Sequence, residues 1–580
     1  MSRGLQIGEA PPKPEGRRWA GCGLRIASLA ALLLAAPLTP SAQQAPSVHL
    51  VDVTKQAGIT FTHNNGAFGK KYLPETLGAG AAFLDYDNDG WQDLLLVNGT
   101  SWPGQPHATS RLSLYRNKGN GTFENVTAAA GLNIDLYGMG VAVADYDNDG
   151  FQDILITAVG QNHLFHNTGH GTFVDVTNQS GLGQRPGFST SALWFDYDRD
   201  GSLDLLICNY VRWTPETDVY CSVDGKQKSY CTPEAYRGTT SWLFRNKGNG
   251  TFEDVTAKAG LFDTTSKSLG VTMIDYDLDP WPDVFIANDT QPNKLYRNNG
   301  NGTFTELGLQ AGLAFSEDGR ARAGMGADAA DVDNSGHTTV VVTNFSGEML
   351  GLYRPVGDGQ YADAAPRTDV GRATQGTLGF GCFFFDVDLD GLLDLLVVNG
   401  HIDETISSIA GRVSYAEPPH LFHNEGKGQF ADIANTVGGG FALPKVGRGA
   451  AFGDFDNDGD ADVLITTNNG PAFLYRVDSP AGAHSLRVKL HGTKSNRDGI
   501  GARVRVFAGA DKYWRSVKTG SSYLSQSELP VTFGLGGHAR ADRLVVEWPS
   551  GAKDELTNLP AGQAYEITEG RGVTGTRKLR

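Results

Sequence analysis

An all-β ring of seven four-stranded units, closed by its own N-terminal strand and followed by a small β domain, is the fold predicted for this 580-residue chain. Three observations predict it: an acidic nonapeptide that recurs seven times, a short apolar run behind each copy, and a last unit whose missing strand is found at the front. Regular recurrence on this scale marks a repeat architecture, in which each unit buries its apolar surface against its neighbours.

The first nonapeptide reads Asp85-Tyr86-Asp87-Asn88-Asp89-Gly90-Trp91-Gln92-Asp93. The others begin at Asp145, Asp196, Asp275, Asp331, Asp386 and Asp454, at intervals of 60, 51, 79, 56, 55 and 68 residues. Behind each lies a run such as Asp153-Ile154-Leu155-Ile156-Thr157, the pattern of a strand covered on both faces. A second string recurs in phase. Leu114-Tyr115-Arg116-Asn117 leads into Gly121-Thr122-Phe123-Glu124-Asn125-Val126-Thr127, and the theme returns at Leu164, Leu243, Leu295, Leu352 and Leu421. Unit two therefore reads as strands over 140–144, 153–158, 163–166 and 172–176, with the acidic loop joining the first two.

Units of this kind arranged around an axis make a β-propeller, whose closure leaves only short, protected edges. Unit seven runs through Asp462-Val463-Leu464-Ile465 to Leu474-Tyr475-Arg476 and stops. Near the front, Val51-Asp52-Val53-Thr54 matches Glu253-Asp254-Val255-Thr256. The N-terminal strand is expected to complete the last unit, which places the ring over 48–478. Residues 484–568 switch to alternating patterns such as Arg503-Val504-Arg505-Val506, a domain of about six strands, with 569–580 left as a tail.

Calcium takes six to eight oxygens at about 2.3–2.6 Å. The nonapeptide offers side-chain oxygens at positions one, three and five and a backbone carbonyl at seven. Glycine at six allows the turn, and an aspartate at nine closes the shell as the strand begins. The expected ligands of several Ca2+ ions are Asp85, Asp87, Asp89 and Asp93; Asp145, Asp147, Asp149 and Asp153; Asp196, Asp198, Asp200 and Asp204; Asp275, Asp277, Asp279 and Asp283; Asp331 and Asp333; Asp386, Asp388, Asp390 and Asp394; and Asp454, Asp456, Asp458 and Asp462. In the fourth copy Pro280 replaces the glycine, so its turn must differ. The fifth keeps only two carboxylates and ends in Thr339, which predicts the weakest site, because fewer charged ligands lower affinity. Arg116, Arg245, Arg297 and Arg476 recur at one strand position and are expected to serve packing or pairing between units.

A net charge of −16 argues against the basic face that nucleic-acid binding requires. Residues 1–42 read as an export signal: Arg17 and Arg18 precede an apolar stretch from Ile26 to Leu38, and the small residues Ser41 and Ala42 follow. That stretch is too short for a comfortable span, so the mature chain is expected to have no membrane segment and to be secreted, periplasmic or on the cell surface. Of the five cysteines, Cys221 and Cys231 lie in a polar insertion and are candidates for a small disulfide loop. Cys208 and Cys382 lie in apolar strands and read as buried thiols.

The repeats resemble the FG-GAP or VCBS repeats of integrin-α-like propellers. That resemblance implies structural calcium in the loops on one face and ligand binding on the other. The strings Asn496-Arg497-Asp498-Gly499-Ile500-Gly501-Ala502, Gly520-Ser521-Ser522-Tyr523-Leu524-Ser525-Gln526-Ser527, Phe533-Gly534-Leu535-Gly536 and Val546-Glu547-Trp548-Pro549-Ser550-Gly551 resemble the ASPIC/UnbV domain. Together the two parts resemble the layout of cartilage-acidic-protein-like secreted proteins and their bacterial relatives. The expected function is a non-enzymatic binding, adhesion or scaffold module for an extracellular protein or glycan, since no G-x-S-x-G, H-E-x-x-H or phosphate loop appears. The alternative is an enzyme of hydrolase or lyase type, or one with an UnbV-like biosynthetic role, sited at the axial mouth of the ring. His107, Asp289, His401 and Glu404 are the loop residues that would serve it.

Overall fold

Each acidic loop delivers the chain directly into its apolar strand, and the seven second strands all begin at a loop's ninth position or its equivalent: Asp93–Leu96, Asp153–Gly160, Asp204–Asn209, Asp283–Asn288, Thr339–Val342, Asp394–Asn399 and Asp462–Thr467. The computed structural model describes residues 48–105, 110–222 and 225–580; the expected export signal over 1–42 and His107 lie outside them. In unit two the strands are Gly138–Ala144, Asp153–Gly160, His163–Asn167 and Phe173–Asp175, within two residues of the boundaries expected from sequence. Among the described residues seven such antiparallel units form. Units two and three are joined where the start of unit three's first strand pairs with the end of unit two's second, Gly187 with Gly160 and Phe188 with Val159.

The first strands, Ala81–Leu84, Gly138–Ala144, Gly187–Phe195, Ser268–Ile274, Ala327–Ala330, Gly379–Phe385 and Gly447–Gly453, each pack against the next, and the last packs against the first. The ring is therefore closed. Its seam is His49–Asp52, antiparallel to Phe473–Asp478. Leu50 and Val48 from the front of the chain lie in one apolar cluster with Val463, Ile465 and Val477.

The C-terminal domain departs from expectation. It has eight strands rather than six, in two four-stranded sheets, and the presumed tail supplies the last of them, Gly572–Lys578, paired to Gln563–Thr568. The alternating pattern of that strand is weak because most of its side chains are exposed; it is held by backbone pairing. Leu486, Val488, Val504 and Val546 of this domain share an apolar cluster with Leu155, Trp194 and Leu205 of the ring.

Residues 519–528 leave the domain and thread the axis of the ring. Thr519 Oγ1 receives the Trp194 N–H at 2.8 Å. The carbonyls of Ser522, Leu524 and Gln526 accept from the backbone N–H groups of Ala327, Val141 and Phe83 at 3.0, 3.0 and 3.2 Å. Ser522 and Leu524 have positive φ of 63° and 56°, conformations L-residues rarely adopt. This alternation aims successive carbonyls at different units. The approach is close enough that a Cβ on Gly80 would lie 2.2 Å from the Leu524 carbonyl oxygen. The opposite mouth is roofed by the insertion around 210–236, where Trp213 packs on Tyr72 and Trp102 at ring-centroid distances of 5.3 Å.

The Cys221–Cys231 bridge closes that insertion, and Cys231 is buried in the aromatic cluster beneath it. Cys208 and Cys382 are buried free thiols. Cross-linking a loop of this length stabilises by about 2–3 kcal/mol through the unfolded chain. Cys221→Ser is expected to lose that amount in denaturant titration, and an unchanged transition midpoint would refute it.

Candidate metal loops and the docked domain

In every loop but the fourth, the first aspartate receives the backbone N–H of the sixth residue. Gly90, Gly150, Gly201 and Gly391 donate to Asp85, Asp145, Asp196 and Asp386 at 3.2, 2.7, 3.0 and 2.9 Å. The ninth aspartate closes the loop differently. One oxygen of Asp93 takes the Tyr86 N–H at 3.2 Å, and the other takes the Asn117 N–H from the neighbouring strand at 2.7 Å. Position four has positive φ in every copy, from Asn88 to Asn457. In the fourth loop Pro280 removes the N–H donor, and the Arg503 guanidinium takes its place on Asp275 at 2.8 Å.

The carboxylates crowd together. Oxygens of Asp85, Asp87 and Asp93, and of Asp196, Asp198 and Asp204, each lie within 4.8 Å of one another. One buried oxygen on each of Asp85, Asp87, Asp198, Asp275, Asp386 and Asp456 has no hydrogen-bond partner. Burial first, then like charge, raises the pKa of two further loop carboxyls: Asp145 is pushed up to about 8 by burial and Asp498, and Asp388 to about 7 by burial and its fellow carboxylates. A divalent cation would relieve both penalties. In the fifth loop the Asp331 oxygens are engaged by the Ser335 and Gly336 N–H groups at 3.0 and 2.7 Å, as those of Asp145, Asp196 and Asp454 are by the matching N–H groups of their own loops.

The recurrent arginines do not pair units. Arg116 Nε reaches Asp87 of its own loop at 2.6 Å, Arg245 reaches Asp198 at 2.6 Å and Arg297 reaches Asp277 at 2.5 Å; Arg476 pairs Asp478 at 2.8 Å. Their short reach from the third strand back over the loop decides this. The pairing between units belongs to the next residue. Asn117 donates to the Phe455 carbonyl at 2.8 Å, Asn167 to Tyr86, Asn246 to Tyr146 and Asn298 to Tyr197, each in the preceding unit. In units two and six the arginine is replaced by histidine. His166 Nδ1 lies 3.2 Å from Asp153 and 3.3 Å from Asp147, and His423 Nδ1 lies 3.1 Å from Asp394 and 3.7 Å from Asp388. Aligning the copies would have exposed both.

Sequence reasoning also missed what covers the loops. The C-terminal domain touches all seven. Lys489 approaches Asp85 at 3.5 Å, Arg487 approaches Asp454 at 3.3 Å and Arg515 approaches Asp386 at 3.6 Å. Asp498 accepts the Asp145 N–H at 2.8 Å. Arg199 of the third loop donates to the Pro549 carbonyl at 2.7 Å, and Asn334 of the fifth accepts the Trp514 N–H at 3.2 Å. Arg577, in the former tail, bridges Gly90 and Asn457 at 2.9 and 2.6 Å.

The residues proposed for an axial enzyme site have separate partners. Asp289 is buried and accepts the Tyr210 hydroxyl at 2.5 Å, with its pKa raised to about 7 chiefly by burial. His401 Nδ1 accepts the Asp403 N–H at 3.1 Å, and burial followed by Arg448 holds its pKa at about 4. Glu404 is half exposed and pairs with Lys71 at 2.6 Å. The axis between them and the loop face is filled by residues 519–528, with the Tyr523 hydroxyl donating to the Leu77 carbonyl at 3.0 Å.

Family comparison gives the same partition of the chain. An FG-GAP-like repeat model matches residues 85–156, 148–207, 275–342 and 406–465, and an ASPIC and UnbV model matches 492–574. This is an FG-GAP-repeat chain with a C-terminal ASPIC/UnbV domain. It is 27% identical over 334 residues to cartilage acidic protein 1 of Homo sapiens, covering 56% of this chain and 47% of that protein. The Mus musculus protein is 27% identical over 316 residues, covering 53% and 45%. The FG-GAP chain thus spans about half the length of the curated relatives it matches. Among solved structures, YCF48 bound to D1 peptide aligns with a TM-score of 0.39 at 10% identity, covering 76% of this chain and 100% of that one. An Agrocybe aegerita lectin that recognises non-reducing terminal N-acetylglucosamine aligns at 0.37 and 16%, covering 68% and 87%.

Proposed function

We propose that this is an exported, calcium-loaded binding or scaffold module whose loops hold several Ca2+ ions and whose ligand is an extracellular protein or glycan. The observation that carries the reading is the set of buried loop oxygens without partners at positions one and three, notably on Asp85, Asp87, Asp198 and Asp456. Hard oxygen donors in this number suit calcium. The ion would hold each loop in the shape that starts its strand and seats the C-terminal domain. Export agrees with the expected leader, with relatives named for cartilage, and with extracytoplasmic calcium, which fills even sites with dissociation constants of about 10⁻⁴–10⁻³ M. No described helix is long and apolar enough to cross a membrane.

Calcium content and calorimetric titration of chelator-dialysed protein test the reading. At least four ions per chain are expected, and fewer would sink it. Each site at a hundredfold excess over its dissociation constant adds about 2.7 kcal/mol of stability, so chelation should lower the melting temperature sharply. Asp331→Asn in the fifth loop is expected to leave the stoichiometry unchanged, whereas Asp456→Asn in the seventh should remove one ion.

A further inference from the structure

Between the loop face of the ring and the docked domain lies a cavity of about 600 Å3, within the range of roughly 300–1,000 Å3 that small-molecule sites occupy. Its wall is mainly apolar and includes the rings of Trp281, Trp514 and Trp548, with Arg503, Arg505 and Arg515 reaching in among them. Arg505 and Trp514 are register partners on adjacent strands, and the guanidinium lies 4.8 Å from the indole centroid. Arg505 and Arg515 each keep a buried Nε without a hydrogen-bond partner, although the Arg515 side chain is only 8% exposed. Guanidinium groups lining a mainly apolar cavity suit an anionic ligand, since a charge-assisted hydrogen bond to a carboxylate is the strong kind.

The carboxylates of the wall are already committed. Glu547 pairs with Arg505 and Lys553, and Glu528 with Arg487. Asp196, Asp275, Asp331 and Asp386 are loop residues: Asp196 and Asp331 accept backbone N–H groups of their own loops, and calcium in the loops of Asp275 and Asp386 would take over the charge they now share with Arg503 and Arg515. The loaded protein would then present an electropositive cavity with aromatic faces. Lys553, 65% exposed, places one side of it at solvent. We propose that this cavity binds an acidic saccharide about the size of a uronic-acid disaccharide, with its carboxylate on Arg505 and Arg515 and a sugar face on Trp514. The assignment rests on the binding-module reading and deepens it by naming the ligand class.

Digalacturonate titrated calorimetrically into calcium-loaded protein, against a blank of calcium buffer and with lactose as the uncharged disaccharide, tests it. Saturable binding of digalacturonate is expected, with lactose at least tenfold weaker. Arg505→Gln and Trp514→Ala should each weaken binding at least tenfold, Arg505→Lys less, and Arg540→Gln on the exposed surface not at all; melting curves confirm that each variant is folded. No binding, equal binding of lactose, or indifference to both cavity substitutions would overturn the proposal. Calcium content is measured on the same sample, so failure of the loop reading registers there and failure of the cavity in the calorimeter.

Discussion

Replacing Arg487 by methionine is expected to cost about 3–5 kcal/mol, the range found when one partner of a buried ion pair is removed. Arg487 makes a two-pronged contact with Glu528, at 2.7 and 2.6 Å, and lies 3.3 Å from Asp454. Side-chain exposures of 4%, 1% and 0% for Arg487, Glu528 and Asp454 leave no water to compensate. The variant strands two carboxylates, one at the foot of the axial segment and one in the seventh loop. Arg487→Met combined with Glu528→Leu should recover part of the loss, because it removes a buried charge along with its partner. Urea titration in calcium-containing buffer reads both. If the single variant loses less than about 1 kcal/mol, the pair does not hold the domain on the ring as described.

That contact illustrates which features were legible in the sequence. Loops and second strands were readable because each copy switches within one residue from oxygen donors to apolar side chains, as at Asp153-Ile154 or Asp462-Val463, and both patterns are local. The disulfide was readable from its short spacing in a polar insertion. The role of residues 519–528 was not. Gly520-Ser521-Ser522 looks like a turn, and only contacts hundreds of residues away, such as Ala327 to Ser522 and Phe83 to Gln526, make it an axial segment. The arginines misled for a related reason. A charge repeating with the units fits pairing between units equally well, and only the reach of Arg116 to Asp87, set beside that of Asn117 to Phe455, separates the two. His166 and His423 were hidden because a single substitution inside an otherwise regular string carries little signal. The last strand, Gly572–Lys578, lacked alternation because neither of its faces is covered.

Deleting residues 48–60 is expected to abolish cooperative folding of the ring. The deletion removes the strand that pairs residue for residue with Phe473–Asp478 and takes Val48, Leu50, Ala57 and Ile59 out of buried positions. Each large aliphatic side chain contributes about 1.5–3 kcal/mol, so three of them approach the whole net stability of about 5–15 kcal/mol typical of a domain. The front strand also repeats a side-chain staple used elsewhere. Thr54 Oγ1 accepts the Leu474 N–H at 2.8 Å, as Thr127, Thr177 and Thr256 accept from Leu114, Leu164 and Leu243 at 2.8, 2.9 and 2.9 Å. The match between Val51-Asp52-Val53-Thr54 and the internal copies is therefore a match of function within the unit, and no other described segment can supply it. Without it Phe473–Asp478 becomes an open edge, the surface on which chains pair with one another, so the variant should lose its sharp melting transition, gain protease cleavage in unit seven and aggregate. Leu50→Ala gives a graded form of the same test at about 2–5 kcal/mol. A truncated chain that melts at the temperature of the full one, with the same proteolytic pattern, would show that the ring holds without its seam.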